Sequence, residues 1–464
     1  LVTADPMTAI PGLGRKLPHY GKYSFLGFKG DEPQNMAKGQ WQPVASPLVR
    51  NLTDGPLPAL VLPARFPLAE LPPMFDAASF RRTVEFLADP RHEGRGVGSP
   101  GRERTMRGVE DQFKALGLHP IAEEGYLQRW AWRGGDPERM MPLTNLIGGI
   151  PGADPELENH PVVVMAHLDH LGLGWPDGRE GNEGMVHPGA DDNASGVAAL
   201  LELARAMRAE PPRPRPVVFV VTTAEEAGLV GARHFVANLA EHIEPFACVN
   251  LDTVGRLADG QLYILNADSA REWRFIFMGV GYTTGAPVAV VEETLDSSDQ
   301  VACLEAGIPA VQLFTGPTAD YHRPTDTADT LDYEGLSVVT EAAKEAVGYL
   351  AERTDSLTVT ISEAEPEATA TEASSGSRRA SLGTMPDFAF SGEGVRVQRV
   401  TPGSAAETAG VLPGDVLTEF NGQPVADLRS YSAVLKACEP GDSVAITVLR
   451  DGEEVALTAT LGQR

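Results

Sequence analysis

The chain is expected to fold as an α/β protein: a three-layer α/β/α domain around a mostly parallel central sheet, followed by a small, mostly-β domain. Three observations predict this. Continuously apolar runs, PVVVMAH (161–167), PVVFVVTT (216–223) and PFACVNL (245–251), each end at once in polar or acidic residues. Such runs are typical of strands buried on both faces of a parallel sheet. Stretches of helical periodicity separate them, as alternating strands and helices require. From residue 381 the pattern changes to short alternating strands with two short helices.

Taken in order, residues 1–75 hold few periodic segments and many prolines, LPALVLPARFPLAELPP among them, and are expected to be an extended N-terminal segment. DAASFRRTVEFLAD places Phe80, Val84 and Leu87 at helical spacing behind an acidic start. GRERTMRGVEDQFKALGLHP predicts a second helix that stops at Gly117. The glycine-rich HEGRGVGSPG between them has neither the Lys-Ser/Thr of a P-loop nor GxGxxG spacing, so it is not a phosphate cradle. TNLIGGIPG reads as a strand and turn. GADDNASG (189–196) opens a helix through Val197, Leu200, Leu201 and Ala204 that ends before Pro211-Pro212. YILNA, AVVEE and GIPAVQLFTG add strands, and DYEGLSVVTEAAKEAVGYLAE closes a domain spanning residues 76–352. Residues 353–380, typified by ISEAEPEATATEASSGSRR, lack large apolar groups and read as a flexible acidic linker. In residues 381–464, GVRVQRV, DVLTEF, SVAITVLR and EVALTATL are strands, and SAAETAG and DLRSYSAVLKAC are helices.

Composition narrows the functional classes. The 464 residues carry 38 Lys and Arg against 64 Asp and Glu, a formal charge of -26. Phosphate backbones and anionic membranes are bound by clustered cations, so neither nucleic acid nor such a membrane is an expected partner. No apolar run approaches the roughly 20 residues that cross a bilayer, and no secretory signal stands at the start. The three cysteines, Cys248, Cys303 and Cys438, lie far apart with no metal-site spacing and are expected to be buried and reduced.

The chemistry lies where the apolar runs stop. In an open α/β sheet the ligand crevice is outside the carboxyl ends of the strands, so His167, Asp169, Glu225, Glu226 and Asp252 should share one rim. Imidazole nitrogen and carboxylate oxygen suit a divalent ion such as zinc. His167, Asp192, Glu226, Asp252 and His322 offer five such ligands. One ion would leave some unused, whereas two ions sharing a carboxylate would use all five, an arrangement known in hydrolysis. Glu225, beside a ligand but not one itself, could take the proton from water.

The ordered set MAHLDHLG, GADDNASG, TTAEEAGLVGARHF, VNLDTVGR and DYHRPTDTADTL resembles the M28 family of zinc-dependent peptidases, over roughly residues 76–352. The resemblance implies two zinc ions per chain: His167 and Asp252 on one, Glu226 and His322 on the other, and Asp192 bridging them. Asp192 is preferred to Asp191 because it stands three before Ser195 in D-x-x-S-G. It also implies a cis Asp192-Asn193 peptide, Asp169 orienting His167 by accepting its other ring proton, Glu225 as general base, and Tyr321 stabilising the tetrahedral oxyanion. The chain departs from the family where SSDQVACLEAGIPA has Gln300 in place of His, which puts substrate contacts there in question.

Residues 381–464 resemble a bacterial-type PDZ domain. SLGTMPDF fits its carboxylate-binding loop, with the backbone of Leu382, Gly383 and Thr384 receiving a C-terminal carboxylate while the peptide adds as a strand. The expected function is therefore a zinc-dependent aminopeptidase, acting on peptides through a metal-bridging hydroxide in an extracytoplasmic compartment, with a C-terminal peptide or protein as PDZ ligand. A carboxypeptidase or other amide hydrolase would need a basic pocket, for which Arg256 and Arg323 beside the ligands are the candidates. A non-catalytic, PDZ-presenting binding protein would normally have lost ligands or base, and all six residues are present.

Overall fold

The computed structural model describes residues 10–17, 23–30, 34–39, 74–179, 181–258, 260–292, 295, 298–361, 380–388, 390 and 392–463. Two compact units divide the chain, Leu1–Leu71 and Pro72–Arg464. Of the first, the described residues lie within 10–39 and are not extended chain, while LPALVLPARFPLAELPP lies outside the described residues. A helix α1 (Ile10–Lys16) is followed by an antiparallel hairpin of β1 (Phe25–Lys29) and β2 (Gln34–Gly39). The hairpin is too short for its alternation to stand out in the sequence.

The second unit opens with α2 (Ala77–Leu87) and α3 (Pro100–Ala115). Their starts are fixed by side-chain caps: Asp76 accepts from the Ala78 N–H at 3.0 Å and Ser99 from the Arg102 N–H at 3.1 Å. The sheet follows: β3 (His119–Pro120), β4 (Leu127–Gly134), β5 (Arg139–Ile150), β6 (Val162–His167), then α4 (Gly196–Ala209), β7 (Val217–Thr222), α5 (Val230–Ala237), β8 (Ala247–Leu251), β9 (Leu262–Leu265), α6 (Trp273–Thr284), β10 (Val288–Val290), α7 (Gln300–Glu305), β11 (Ala310–Phe314) and α8 (Tyr333–Glu352). The strand order is β10-β9-β11-β8-β6-β7-β5-β3, with β4 beside β5. Strands β11, β8, β6 and β7 run parallel to one another, while β5 joins β7 and β9 joins β11 in antiparallel fashion.

Every residue of β6, β7 and β8 is buried, because both faces are covered. Val162, Val164, Phe219 and Val221 point into one core with α2, α4, α6 and α8. Their neighbours Val163, Met165, Val218 and Val220 point into another with Phe235 of α5 and Cys303 of α7. The two-residue side-chain period of a strand thus feeds two layers of helix.

That second layer overturns one expectation. Cys248 and Cys303 are joined as a disulfide across 55 residues of sequence, with Cα atoms 6.7 Å apart. The packing of α7 against β8, invisible in cysteine spacing, brings them together. Cys438 is buried and free.

Residues 353–361, at the start of the expected linker, lie on the α/β domain. The Thr358 N–H donates to Glu272 at 2.9 Å, and Arg215 donates to the Arg353 carbonyl at 2.8 Å. Residues 362–379 are outside the described residues. The small domain contains β12 (Ala380–Ser381), β13 (Thr384–Pro386), β14 (Val395–Val400), α9 (Ala405–Ala409), β15 (Val416–Phe420), β16 (Gln423–Pro424), α10 (Leu428–Lys436), β17 (Ser443–Arg450), β18 (Glu453–Thr460) and β19 (Gly462–Gln463). Its sheet runs β13-β14-β15-β17-β18 with β16 beside β15, and β12 pairs β19. Phe388, just after β13, packs on Tyr263 and Phe314 of the larger domain, ring centroids 5.5 and 5.8 Å away.

No helix among the described residues is long and apolar enough to cross a membrane. Thiol titration checks the cysteine pairing: the oxidised chain in denaturant should show one reactive thiol, Cys438, rising to three after reduction. Three thiols before reduction would contradict the pairing.

Candidate metal centre

Four parallel strands deliver their carboxyl ends to one edge, so the residue after each apolar run arrives at the same place. His167 ends β6, Glu225 and Glu226 follow β7, Asp252 follows β8, and His322 stands in the loop after β11. The chain leaves the strands sharply. Ala224, Thr253 and His322 have φ of 55°, 54° and 58°, left-handed values costly for residues with a Cβ and often kept at functional sites.

Asp192 comes from the turn at 190–195 that opens α4. Its peptide to Asn193 is cis, as the resemblance implies. The turn is held against β8: the Asn193 amide donates to the Leu251 carbonyl at 2.9 Å, and the Ser195 hydroxyl accepts from the Val254 N–H at 3.1 Å. Gly196 lets the turn come this close, since a Cβ there would stand 2.2 Å from the Leu251 carbonyl oxygen.

The expected ligands gather in two sets that share Asp192. His167 Nε2 lies 3.3 Å from Asp192 Oδ1 and 3.4 Å from Asp252 Oδ1. His322 Nε2 lies 3.2 Å from Asp192 Oδ2 and 3.3 Å from Glu226 Oε2. Ligand atoms about 2.0–2.1 Å from a tetrahedral zinc ion stand roughly 3.3–3.4 Å apart; these four histidine–carboxylate contacts have about that length, and His167, Asp192 and Asp252 lie close enough together to hold an ion. His322 Nε2 is buried and makes no well-directed hydrogen bond, as expected of an atom facing an ion. Both rings are aimed by their other nitrogen: His322 Nδ1 lies 3.1 Å from an Asp177 carboxylate oxygen, and His167 Nδ1 lies 3.1 Å from the main-chain oxygen of Asp169.

This corrects the expected use of Asp169. Its carbonyl, not its carboxylate, accepts from His167, because the turn after β6 folds the carbonyl two residues on back toward the ring. The carboxylate instead accepts the Glu225 N–H at 3.2 Å. Tyr321 lies flat on His322, centroids 3.9 Å apart, with Arg179 over its ring at 5.7 Å. Gln300 is buried away from the rim in an amide network with Asn250, Asn266 and Gln312. Arg256 is engaged by Asp320 at 3.0 Å, Asp326 at 3.8 Å and Asp191 at 4.0 Å, while Arg323 is exposed.

Several contributors were missed in the sequence. His170, fully buried, lies 2.8 Å from Glu226 and 3.7 Å from Asp192, and with them forms a second group able to hold an ion beside His167, Asp192 and Asp252. Its adjacency to Asp169 in HLDH was the available signal. Asp326 accepts the N–H groups of both Asp191 and Asp192. Buried Arg95, in the glycine-rich loop, donates to the carbonyls of Leu168 and Gly189 at 2.7 Å each and so ties the His167 loop to the Asp192 turn. These pairings span long sequence separations and leave no local pattern.

In the smaller domain the Leu382 and Gly383 carbonyls accept the N–H groups of Ala406 and Thr401, and the Thr384 hydroxyl meets Tyr431 of α10 at 2.8 Å. Gly383 has φ 84°, and a Cβ there would stand 2.2 Å from Ser404, so this loop requires glycine. Strand β13 pairs β14 on one side and, among the described residues, no strand on the other.

The charges at the rim are strongly coupled. Burial alone would depress His167, but Asp252, Glu225 and Asp192 outweigh it and hold the ring well above its ordinary value. His322, likewise opposed by burial, is raised to about 10 by Glu226, Asp177 and Asp192. Burial raises Glu225 well above the usual carboxylate range, with Glu226, Asp252 and Asp299 adding to it against His167. Without an ion, the surrounding carboxylates favour the protonated form of both imidazoles. An ion must displace these protons, so affinity should rise with pH toward about 10 and fall as the solution is acidified. Calorimetry in two buffers of different ionisation enthalpy should show proton release on zinc uptake at pH 7; uptake without release would contradict this.

Comparison with known proteins agrees with the geometry. Residues 145–347 match the model of peptidase family M28 and residues 359–461 that of a PDZ domain. Aminopeptidase YwaD of Bacillus subtilis is 30% identical over 219 residues, 42% of this chain and 43% of that protein; the chain spans less than half the length of such curated relatives. An aminopeptidase from Aneurinibacillus sp. strain AM-1 has the same fold, with a TM-score of 0.51 and 20% identity over 61% of this chain and 96% of that one. So has a glutaminyl cyclase of Bacteroides thetaiotaomicron, at 0.50 and 18% over 59% and 98%; the fold by itself does not choose the reaction. The chain carries a domain of peptidase family M28 followed by a PDZ domain.

Proposed function

We propose that this chain is a two-zinc aminopeptidase that removes N-terminal residues from peptides. The observation that carries the reading is the division of Asp192, one oxygen toward His167 and the other toward His322 and Glu226, with Glu225 beside them. Ions held there would polarise the scissile carbonyl and acidify the attacking water.

The chain's own residues supply the rest. Asp192, Glu226, Asp252, His167 and His322 would hold the ions. Glu225, whose N–H is tied to Asp169, takes the proton from water and passes it to the leaving amine. Its pKa, raised by burial, suits a base that must also return the proton as an acid. The Tyr321 hydroxyl donates to the developing oxyanion. Carboxylates at the rim attract a free α-amino group. Arg256, engaged by three carboxylates, is a poor receptor for a substrate carboxylate, which argues against a carboxypeptidase. The name of the YwaD relative points the same way.

The edge of β13 and the Leu382–Thr384 backbone would receive a C-terminal peptide or protein ligand by strand addition. The Cys248–Cys303 disulfide supports an extracytoplasmic location, since disulfides persist in oxidising compartments.

Glu225→Gln should keep both ions but lower turnover by roughly 10²–10⁴, the range of general-base catalysis. Near-normal turnover would contradict the role. Peptides incubated with the zinc-loaded chain and read by mass spectrometry should shorten from free N-termini, not when N-acetylated, and equally when C-amidated. Loss from C-termini would replace this reading with a carboxypeptidase.

A further inference from the structure

His170 stands where the five-ligand account leaves a buried imidazole unexplained. It is fully buried. Its Nδ1 lies 2.8 Å from Glu226 Oε1, whereas His322 approaches the other oxygen, Oε2, at 3.3 Å. The contacts within the two ligand sets all fall at 3.2–3.4 Å, the edge length of a tetrahedron around zinc. His170, Asp192 and Glu226 lie close enough together to hold an ion, but the His170 contacts do not match that edge: 2.8 Å is the length of a hydrogen bond, and 3.7 Å to Asp192 is longer than the edge. The His170 ring is edge-on to His322, centroids 5.8 Å apart.

We propose that His170 is a positioning residue: its Nδ1–H donates to Glu226 Oε1 and so confines Glu226 to a single ligating oxygen, Oε2. An ion held there would then have Asp192, Glu226 and His322 as three protein ligands and would keep an open position for substrate, the pattern of catalytic zinc sites. Without His170, Glu226 would turn both oxygens to the ion and fill that position. The assignment of the proton to Nδ1 follows from the carboxylate it faces, and the role matches that of hydrogen bonds that fix ligating groups elsewhere. This inference rests on the two-ion reading above.

The test compares His170→Ala and His170→Asn with the unaltered chain, using calorimetric ion affinities and the visible spectrum of the cobalt(II)-loaded forms, which reports coordination geometry. Asparagine can place an amide N–H near the Nδ1 position but is a poor zinc ligand. His170→Ala should weaken one of two ions by roughly 10–100-fold and shift the cobalt spectrum toward higher coordination, and His170→Asn should restore most of both. No change in either variant would overturn the proposal. Equal loss of one ion in both variants would also overturn it, by making His170 a ligand. An unaltered chain that binds fewer than two ions would sink the two-ion reading and this inference together.

Discussion

Burying many carboxylates at one sheet edge is the constraint that the rest of the structure must meet. Asp169, Asp191, Asp192, Asp252, Asp299 and Asp326 are all buried around the carboxyl ends of β6, β7, β8 and β11. Charges removed from water are costly unless paired or hydrogen-bonded, and the protein's own cations only partly answer them. Arg95 lies beneath the cluster, its pKa lowered by burial to about 10 even though Asp192 and Asp326 favour its charge. Asp299 is left with its pKa pushed up to about 7 by burial, and Asp191 is raised well above the usual carboxylate range by burial and by Asp326. A rim built this way has a standing electrostatic demand for divalent cations. The pKa values of the histidines that would ligate them, opposed by burial, are raised by the same carboxylates.

The ordering of the chain follows from that demand. The parallel register sets the four strand ends level, and left-handed residues beside the ligands turn the backbone outward before the next helix. The Asp192 turn enters from the α4 side and shows one carboxylate oxygen to His167 and the other to His322. Its tight contact with β8 through Asn193, Ser195 and Gly196 fixes it there.

What the sequence made legible was whatever follows an apolar run. His167, Glu225, Glu226 and Asp252 could be placed on one rim because a fully buried strand has an unambiguous end, and Asp192 and His322 came with motifs matching a family. The supporting groups were not legible. Asp177 and Asp326 look like ordinary loop acids, Arg95 like part of a glycine-rich turn, and His170 like a neighbour of a more obvious pair; each acquires meaning only from a partner far along the chain. The disulfide was hidden for the same reason, and Asp169 was placed correctly but with the wrong oxygen facing His167. In the small domain, alternation revealed the strands, whereas the packing of Phe388 on Tyr263 and Phe314 depends on two surfaces that no single segment encodes.

The central claim is that the rim holds two ions divided by Asp192. Crystals of the zinc-loaded chain, measured at the zinc absorption edge, test it most directly. The account predicts two anomalous peaks about 3.5–4 Å apart, one between His167 and Asp252 and the other between Glu226 and His322, with an Asp192 oxygen toward each. A single peak, or a pair not divided by Asp192, would contradict it.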